Sequence, residues 1–463
     1  MVTLIKHGTI VNEGLSFKGS LLIRDEIIEK IISADSFVAE QEYYRAVKKV
    51  ENELKSVPTE NSEIIEAEKL TIFPGVIDDQ VHLREPGGCA KADIATESRA
   101  AVLGGVTSFM DMPNNTPPAT TNALLENKFA IAEKNSFCNY SFYLGATNSN
   151  VDEIVKADTR RICGIKVFMG SSTGNMLVND SLALEEIFQK ADTTIATHCE
   201  EEETIRRNME IYKKKYGDNI PFEAHPDIRS REACIESTKK AVALALKYNS
   251  KLHVLHISTA DEIEIIREAR KQNPQITGEI CVHYLYFNRN DFKSFGAKIK
   301  CNPALKEESD MLALRKALKE GIVKVVATDH APHLESEKAN CYTKAPSGLP
   351  LIQHSLQLML ELSRKGVFTK EEVARFMCHA PAQCFGIEKR GFIREGYYAD
   401  LAIVDTECEY TVAKENIAYK CKWSPFEGHT FHSRILYTFI NGTEVVKEGK
   451  PTGKRNAKRL IFK

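Results

Sequence analysis

Between residues 73 and 384 the chain repeats a short apolar run followed by a longer amphipathic stretch. The runs are rich in β-branched and aromatic residues, as strands are, whereas stretches such as 261–272 and 312–320 have the spacing of helices. Eight such units predict an α/β fold, a closed parallel (β/α)8 barrel of the TIM type. An open doubly wound sheet is the alternative, but no glycine-rich phosphate loop follows the first run. The runs cover residues 75–83, 106–113, 140–146, 164–170, 194–199, 252–258, 278–284 and 323–331.

The two ends of the chain alternate apolar and polar positions, which is typical of half-buried strands. After residue 385 the alternation returns at 391–393, 400–405, 435–440 and 443–446, with Asn441-Gly442 as a hairpin turn. We expect both ends to pair into one small β-sandwich domain beside the barrel. The predicted limits are therefore 1–72 and 385–463 for the β-sandwich and 73–384 for the barrel. A charged, helix-prone stretch at 41–58 predicts a surface insertion on the small domain.

Composition excludes several classes of protein. The net charge is −2 over 463 residues with no long single-sign block, which argues against nucleic acid or an anionic membrane as partner. No apolar run approaches the ~18 residues of a membrane span, and no signal segment begins the chain, so a cytoplasmic protein is expected. The 12 cysteines are scattered without a CxxC pair, which predicts reduced and mostly buried thiols.

Polar residues interrupt or end five of the eight apolar runs. His82 ends the first run, Lys166 lies in the fourth, His198 and His256 lie near the ends of the fifth and sixth, and Asp329 lies near the end of the eighth. A single histidine at a strand end is usually structural. Five such residues at matching positions predict an active site, because catalytic groups of these barrels come from the carboxyl ends of several strands.

The residue types in this set indicate a catalytic metal site. Imidazole nitrogens and carboxylate oxygens suit Zn²⁺, and the absence of cysteine argues against a closed structural site. A protonated Lys166 cannot bind a metal and could instead form a salt bridge. Inside an apolar strand, however, its pKa would be lowered, and the neutral amine could react with CO₂ to give a carbamate that bridges two metals.

Several segments resemble the cyclic amidohydrolases, and among them most closely the dihydroorotases. PGVIDDQVHLREPG at 74–87 resembles the family pattern PG-x-x-D-x-H-x-H-x-R-EPG, and MPNNTPP at 112–118 resembles its MPNT motif. GIKVFMG carries the lysine, THCE and LHVLHIS carry two histidines, and ATDHAPH carries the aspartate. CNPALK at 301–306 and SPFEGHTF at 424–431 also match, so the likeness runs from about residue 64 to 431.

The resemblance implies a role for each matching residue. The reaction would be the reversible hydrolysis of the cyclic amide of (S)-dihydroorotate to N-carbamoyl-L-aspartate in pyrimidine (UMP) synthesis, with Asp329 acting as base and then as acid. One or two zinc ions would be held by His82, N6-carboxylated Lys166, His198, His256 and Asp329. Arg84 and Asn114 would bind the substrate carboxylate, assisted by Asn302 and His333. Arg84 could also be a surface ion pair, and Asn115 is a rival to Asn114.

Gln80 departs from the family pattern, because it stands where the first histidine of the HxH pair is expected. Strand alternation predicts Asp78, Gln80 and His82 on one face and Asp79 on the other. A glutamine amide is a poor zinc ligand, so the metal site shared by His82 and Asp329 should be weaker. Three outcomes follow: a binuclear site with one weak metal, a mononuclear enzyme, or an inactive relative.

Other members of the same broad family remain alternatives. Hydantoinases, dihydropyrimidinases and allantoinases share the fold and the lysine but do not need the clamp formed by Arg84 and Asn114. A non-catalytic dihydroorotase-like scaffold, associated with aspartate carbamoyltransferase, is favoured only by Gln80. A homodimer is expected from the general frequency of such assemblies. The polar stretch at 335–346, after the eighth run, is a candidate for a loop that closes over the site.

Overall fold

The amino-terminal region folds into strands that return on themselves. The computed structural model describes residues 1–56, 58, 61–170 and 176–463. Strands β1 and β2, and then β2 and β3, pair antiparallel, whereas β4 and β5 both run parallel to β1. The expected helical insertion is present as α1, Glu40–Leu54, whose apolar residues Tyr43 and Val47 are buried. The five strands are β1 Val2–Asn12, β2 Leu15–Arg24, β3 Ile27–Ser33, β4 Ser62–Glu66 and β5 Thr71–Pro74.

Eight parallel strands follow, each next to its predecessor in the sheet, so the predicted (β/α)8 barrel is confirmed. Each predicted apolar run overlaps one of them, although β8 and β12 begin one residue before their runs. The strands are β6 Val76–Val81, β7 Val106–Asp111, β8 Asn139–Gly145, β9 Gly164–Phe168, β10 Ile195–His198, β11 Leu252–Val254, β12 Thr277–Cys281 and β13 Val325–Ala327.

Helices connect the strands on the outside of the barrel, as the amphipathic stretches predict. Many begin with a side chain that caps the free backbone N–H groups, such as Asp93 before α2 and Thr259 before α9. None of the described helices is both long and apolar enough to cross a lipid bilayer. The helices are α2 Ile94–Leu103, α3 Asn122–Asn135, α4 Val151–Val155, α5 Ser181–Lys190, α6 Glu202–Tyr216, α7 His225–Ile228, α8 Arg231–Tyr248, α9 Ala260–Gln272, α10 Phe292–Phe295, α11 Glu308–Lys319, α12 Glu335–Lys338, α13 Ser355–Arg364, α14 Lys370–Ala374 and α15 Ala380–Phe385.

The barrel closes between its first and last strands through both backbone and side-chain contacts. Val81 and His330 form a parallel bridge, and the backbone N of His82 donates to the carbonyl of His330 over 2.7 Å. The buried carboxylate of Asp78 accepts hydrogen bonds from the backbone N of Thr328 at 3.1 Å and from its hydroxyl at 2.6 Å. A polar side chain therefore replaces part of the hydrogen-bond ladder at the closure.

The carboxyl-terminal strands join the amino-terminal ones, as expected from the alternation at both ends. Strand β14 pairs antiparallel with β5 and with β17, which places strands from both ends in one nine-stranded sheet. Asn441 and Gly442 form the predicted hairpin turn with φ of 47° and 72°. The domain limits at 72 and 385 stay predictions. The carboxyl-terminal strands of this sheet are β14 Leu401–Asp405, β17 Arg434–Ile440, β18 Thr443–Lys447 and β19 Lys450–Pro451. Strands β15 Tyr410–Thr411 and β16 Thr430–Phe431 pair with each other in a separate two-stranded sheet.

The structure differs from the sequence-based expectation at one short segment and agrees with it for the cysteines. The segment 391–393 is not a strand, because Asn12 binds both the backbone N and the carbonyl of Ile393 with its side chain. All 12 cysteines lie in the described part of the chain, where they are free thiols and most of them are buried, as predicted. Inside the barrel an apolar cluster includes Ile77, Tyr143 and Leu255, and the ring of Phe385 packs 5.1 Å from His253.

Candidate active site

A polar cavity lies at the carboxyl ends of the barrel strands, where the sequence predicts the chemistry. All five residues that interrupt the apolar runs contribute to its wall, together with Gln80, Arg84 and Asn302. Asn114 and His333 stand just behind this wall, in contact with His82 and Arg84 respectively. The cavity is lined by Gln80, His82, Arg84, Lys166, Phe168, His198, His256, Asn302, Asp329, Ala331, Ser347 and Gly348.

His82 and Asp329 form one pair of donor groups at the barrel closure. Nε2 of His82 lies 3.1 Å from Oδ1 of Asp329, and Nδ1 of His82 donates to Oδ1 of Asn114 over 2.8 Å. Because Nδ1 is engaged in this way, Nε2 is the ring nitrogen that faces Asp329 and that a metal could bind in place of a proton. Burial alone would raise the pKa of Asp329, but the contact with His82 outweighs it and lowers that pKa to about 2. Asp329 is therefore ionised at neutral pH.

His198 and His256 form the second pair. Nδ1 of His198 lies 2.9 Å from Nε2 of His256, and Nδ1 of His256 has no hydrogen-bond partner within the described part of the chain. Burial lowers the pKa of both rings, so both are neutral. On the far side of His198, Oε2 of Glu200 lies 3.1 Å from Nε2 and also contacts Arg229. Glu200 thus contacts the pair from outside, and Nδ1 of His198 and Nε2 of His256 are close enough together to bind the same ion.

Lys166 is buried in β9, and its ammonium group lies 4.5 Å from the centre of the Phe168 ring. Burial lowers the pKa of Lys166 from 10.5 to about 7, with Asp329 opposing the shift. The lysine carries no salt bridge within the described residues. A substantial fraction of its amine is therefore neutral near pH 7, as carbamate formation requires.

Gln80 shares the cavity with these groups, but the predicted alternation along its strand is wrong. The register between β6 and β7 shifts between Asp78 and Val81, which is a β-bulge. As a result two consecutive side chains point inward: Gln80 donates to Asp329 over 3.2 Å, and Asp79 lies 3.3 Å from His253 on β11. Since β11 is not a neighbour of β6, that contact passes through the barrel interior.

Arg84 extends the cavity towards solvent. Its Nε donates to the carbonyl of Pro332 at 3.2 Å, and its Nη2 lies 3.1 Å from Nε2 of His333. Burial lowers the pKa of Arg84 to about 10, so it stays charged at neutral pH. Burial and the charges of Arg84 and Lys91 lower the pKa of His333 and keep it neutral. The buried Oδ1 of Asn302 accepts no hydrogen bond from any described residue.

The backbone is strained at three residues of this site. Arg84, His256 and Asp329 have φ of 65°, 38° and 49°, in the left-handed region that residues with a Cβ seldom adopt. Such strain costs on the order of 1–3 kcal/mol each and persists where the surrounding structure imposes it, commonly at functional sites. The sequence carries no signal of it.

A family model described as "Amidohydrolase family" matches residues 71–445, which is most of the chain. The chain belongs to the amidohydrolase family. It is 32% identical over 392 residues to a dihydroorotase of Pyrococcus horikoshii, covering 84% of each chain. It is 30% identical over 412 residues to an allantoinase of Desulfitobacterium hafniense, covering 86% of this chain and 91% of the relative. Relatives with these names support a hydrolase of cyclic amides without choosing between them.

The solved structure of an L-hydantoinase from Arthrobacter aurescens has the same fold as this amidohydrolase. Its TM-score is 0.89 at 24% identity, with 100% of this chain and 99% of that one covered. At this identity the likeness supports the fold alone.

The donor groups of this amidohydrolase suit a divalent metal, as members of the family generally bind. Lys166, His198 and His256 combine two neutral imidazoles with an amine that burial keeps partly neutral. His82 and Asp329 offer a ring nitrogen and an ionised carboxylate 3.1 Å apart. Imidazole and carboxylate are ligands that zinc prefers, so both sets fit such an ion.

Three further polar residues inside the barrel were missed by the reasoning from sequence. Asp79, His253 and Glu279 are completely buried, and their ligand atoms lie within 4.8 Å of one another. Burial would lower the pKa of His253, but the two carboxylates outweigh it and raise the pKa to about 9. Each residue interrupts an apolar run, which is the same signal that identified the strand-end residues.

Proposed function

We propose that this amidohydrolase is a dihydroorotase, which reversibly hydrolyses the cyclic amide of (S)-dihydroorotate to N-carbamoyl-L-aspartate in pyrimidine synthesis. The observation that carries the proposal is the burial of Arg84 without an acidic partner. This guanidinium is buried in the cavity wall, and no acidic side chain of the described chain lies within 4.0 Å of it.

A buried cation without a counter-ion is costly, and a bound carboxylate removes that cost. A guanidinium holds a carboxylate through two parallel hydrogen bonds, which also fixes the orientation of the bound molecule. Dihydroorotate has a carboxylate on its ring, whereas allantoin and unsubstituted hydantoin have none. Arg84 therefore favours the substrate with an acidic group.

Zinc is the proposed cofactor, with Lys166 as its N6-carboxylated form. One ion would be held by Lys166, His198 and His256, and a second, weaker one by Lys166, His82 and Asp329. When bound, such an ion supplies Lewis-acid chemistry, lowering the pKa of water and polarising the amide carbonyl.

Side chains of this protein would transfer the proton and hold the substrate in place. Asp329 is ionised and stands at the cavity wall, so it can take a proton from the attacking water and return it to the departing amide nitrogen. Arg84 holds the substrate carboxylate, and Asn302 can donate to a ring oxygen or accept from a ring N–H. His82 is oriented by Asn114, and His198 by Glu200.

An allantoinase or hydantoinase is the second candidate, and one contact favours it. Asn114, the expected partner of Arg84 in binding the carboxylate, already accepts a hydrogen bond from His82. If Asn114 serves only to orient His82, half of the proposed clamp is absent. The non-catalytic alternative rests on Gln80 alone. A homodimer and an association with aspartate carbamoyltransferase stay proposals.

The test compares substrates on the purified full chain with added zinc and bicarbonate. We expect cyclisation of N-carbamoyl-L-aspartate and hydrolysis of dihydroorotate, with little activity on allantoin or hydantoin. Asp329→Asn should lower kcat by roughly 10²- to 10⁴-fold, the usual contribution of a general acid–base group. Preference for an uncharged ring would overturn the choice of substrate, and no activity on any ring would favour the scaffold.

A further inference from the structure

Asp79, His253 and Glu279 form a compact group inside the barrel, which we call the inner trio. Nε2 of His253 lies 3.3 Å from Oδ2 of Asp79 and 3.4 Å from Oε2 of Glu279. All three side chains are completely excluded from solvent. Among the described residues it is the one set of three His, Cys, Asp or Glu side chains whose ligand atoms all lie within 4.8 Å.

The hydrogen bonds around His253 orient Nε2, the nitrogen that would bind a metal, towards the two carboxylates. The hydroxyl of Thr277 donates to the carbonyl of Leu252 at 3.3 Å, so it accepts from Nδ1 of His253 at 2.8 Å. In the neutral ring the proton is therefore on Nδ1 and the lone pair is on Nε2. Metal-binding histidines are commonly held in this way, with the second ring nitrogen donating to an oxygen.

Asp79 lacks the partners that a buried carboxylate needs. Neither of its oxygens accepts a hydrogen bond with acceptable geometry from the described residues. The hydroxyl of Tyr143 is close, but it donates to the backbone carbonyl of Asp79 and not to the carboxylate. Taking a carboxylate out of water without hydrogen bonds or a counter-ion is strongly unfavourable. Without a metal, the protonated ring of His253, whose pKa is about 9, supplies one positive charge 3.3 Å from Asp79 for two carboxylates. A divalent cation would displace the Nε2 proton and balance both.

We propose that the inner trio holds a divalent cation, with zinc as the best match. One imidazole and two carboxylates form a ligand set that zinc accepts. Bonds of 2.0–2.2 Å in a tetrahedron place ligand atoms roughly 3.3–3.6 Å apart. The separations of 3.3 and 3.4 Å from Nε2 of His253 to the two carboxylates agree with that spacing. A divalent charge also balances the two carboxylates.

This inner site is separate from the proposed active site but touches it. The second carboxylate oxygen of Glu279 accepts from the backbone N of His256 at 3.2 Å, and Asp79 directly precedes Gln80 in β6. An ion in the trio would thus fix the strands that carry both residues. The inference does not rest on dihydroorotase activity.

The test removes two ligands of the proposed active-site metal and measures how much zinc stays bound to the chain. In the full chain carrying Lys166→Ala and His198→Ala, produced with zinc in the medium, elemental analysis should find one zinc ion per chain. Adding Asp79→Asn should abolish that zinc. Glu97→Gln is the matched control, because Glu97 and His330 form another fully buried acid–histidine pair, 3.0 Å apart, without a third carboxylate. That control should keep the ion.

Zinc-free protein from the double variant, or zinc content unchanged by Asp79→Asn, overturns the proposal. Far-UV circular dichroism establishes that each variant is folded, and His253→Gln serves in place of Asp79→Asn if that protein does not fold. Thermal unfolding after refolding with and without zinc provides a second readout. Zinc should raise the Tm of the double variant but not that of its Asp79→Asn derivative. If Asp79→Asn raises the Tm regardless of zinc, the trio holds a proton and the proposal is wrong.

Discussion

The side-chain amide of Gln80 donates a hydrogen bond to Oδ1 of Asp329 across 3.2 Å. The amide oxygen of Gln80 lies on the other side, 3.7 Å from the thiol of Cys281. The nitrogen of Gln80, and not its oxygen, therefore faces the proposed catalytic carboxylate. Gln80 holds Asp329 by a hydrogen bond at the position where a ligand histidine would share a metal with it.

Restoring the histidine should strengthen the weaker metal site. Gln80→His places an imidazole beside His82 and Asp329 in the cavity, so we expect more zinc per chain by elemental analysis and a higher kcat at limiting zinc. Gln80→Asn, which cannot provide an imidazole, is the control and should not gain zinc. Equal zinc content in Gln80→His and the unmodified protein would show that another group already supplies the missing ligand.

Arg84→Lys should separate charge from geometry in substrate binding. A lysine keeps the positive charge but cannot bind a carboxylate through two parallel hydrogen bonds. Losing hydrogen bonds to a charged group costs about 1.5–3 kcal/mol, so kcat/KM for dihydroorotate should fall roughly 10- to 150-fold, mainly through KM. The rate on an uncharged hydantoin, if measurable, should change little. A similar loss on both substrates would mean that Arg84 supports the structure of the site.

The carbamate on Lys166 should form only above a threshold pH. The pKa of about 7 arises because burial disfavours the protonated amine. Uptake of ¹³C-labelled bicarbonate, followed by NMR, should be high at about pH 8 and decline as the pH falls through 7 to about 6. For the unmodified lysine the folded pKa lies below the ordinary 10.5, so this group makes the fold more stable as pH rises from 7 to 10.5. Uptake that is unchanged in Lys166→Ala contradicts the assignment.

Thr328→Val should weaken the closure of the barrel. The substitution removes the hydroxyl that donates to Asp78 and leaves a buried carboxyl oxygen without that partner. We expect a loss of about 1–3 kcal/mol in the free energy of unfolding, measured by urea denaturation. Thr343→Val, at an exposed threonine, should stay within about 0.5 kcal/mol of the unmodified protein. Equal stability of the two variants would contradict a structural role for the contact of Thr328 with Asp78.

The fold could be predicted from the sequence because the barrel strands are short and mostly rich in apolar residues, with longer amphipathic stretches between them. Residues such as Lys166 and His198 were recognisable because a polar side chain in such a run has few reasons to be there. The bulge between Asp78 and Val81 was not predictable, since it depends on the register with β7 and not on the composition of β6. The inward position of Asp79 follows from that bulge.

The contact of Asn114 with His82 also could not be predicted from the sequence. The motif at 112–118 identifies the loop, but the partner of an amide depends on the path of the backbone after β7. The strained φ angles of Arg84, His256 and Asp329 are likewise imposed by the surrounding packing. Local residue preferences alone would give these three residues negative φ angles.

The pairing of β5 with β14 has a consequence for synthesis on the ribosome. Strand β5 is finished early, but its neighbour emerges only after the whole barrel has been translated. At about 5–20 residues per second, the exposed edge of the amino-terminal strands waits on the order of tens of seconds. A nascent chain in that interval presents an open sheet edge, which is the period when a chaperone that shields unpaired strands would matter most.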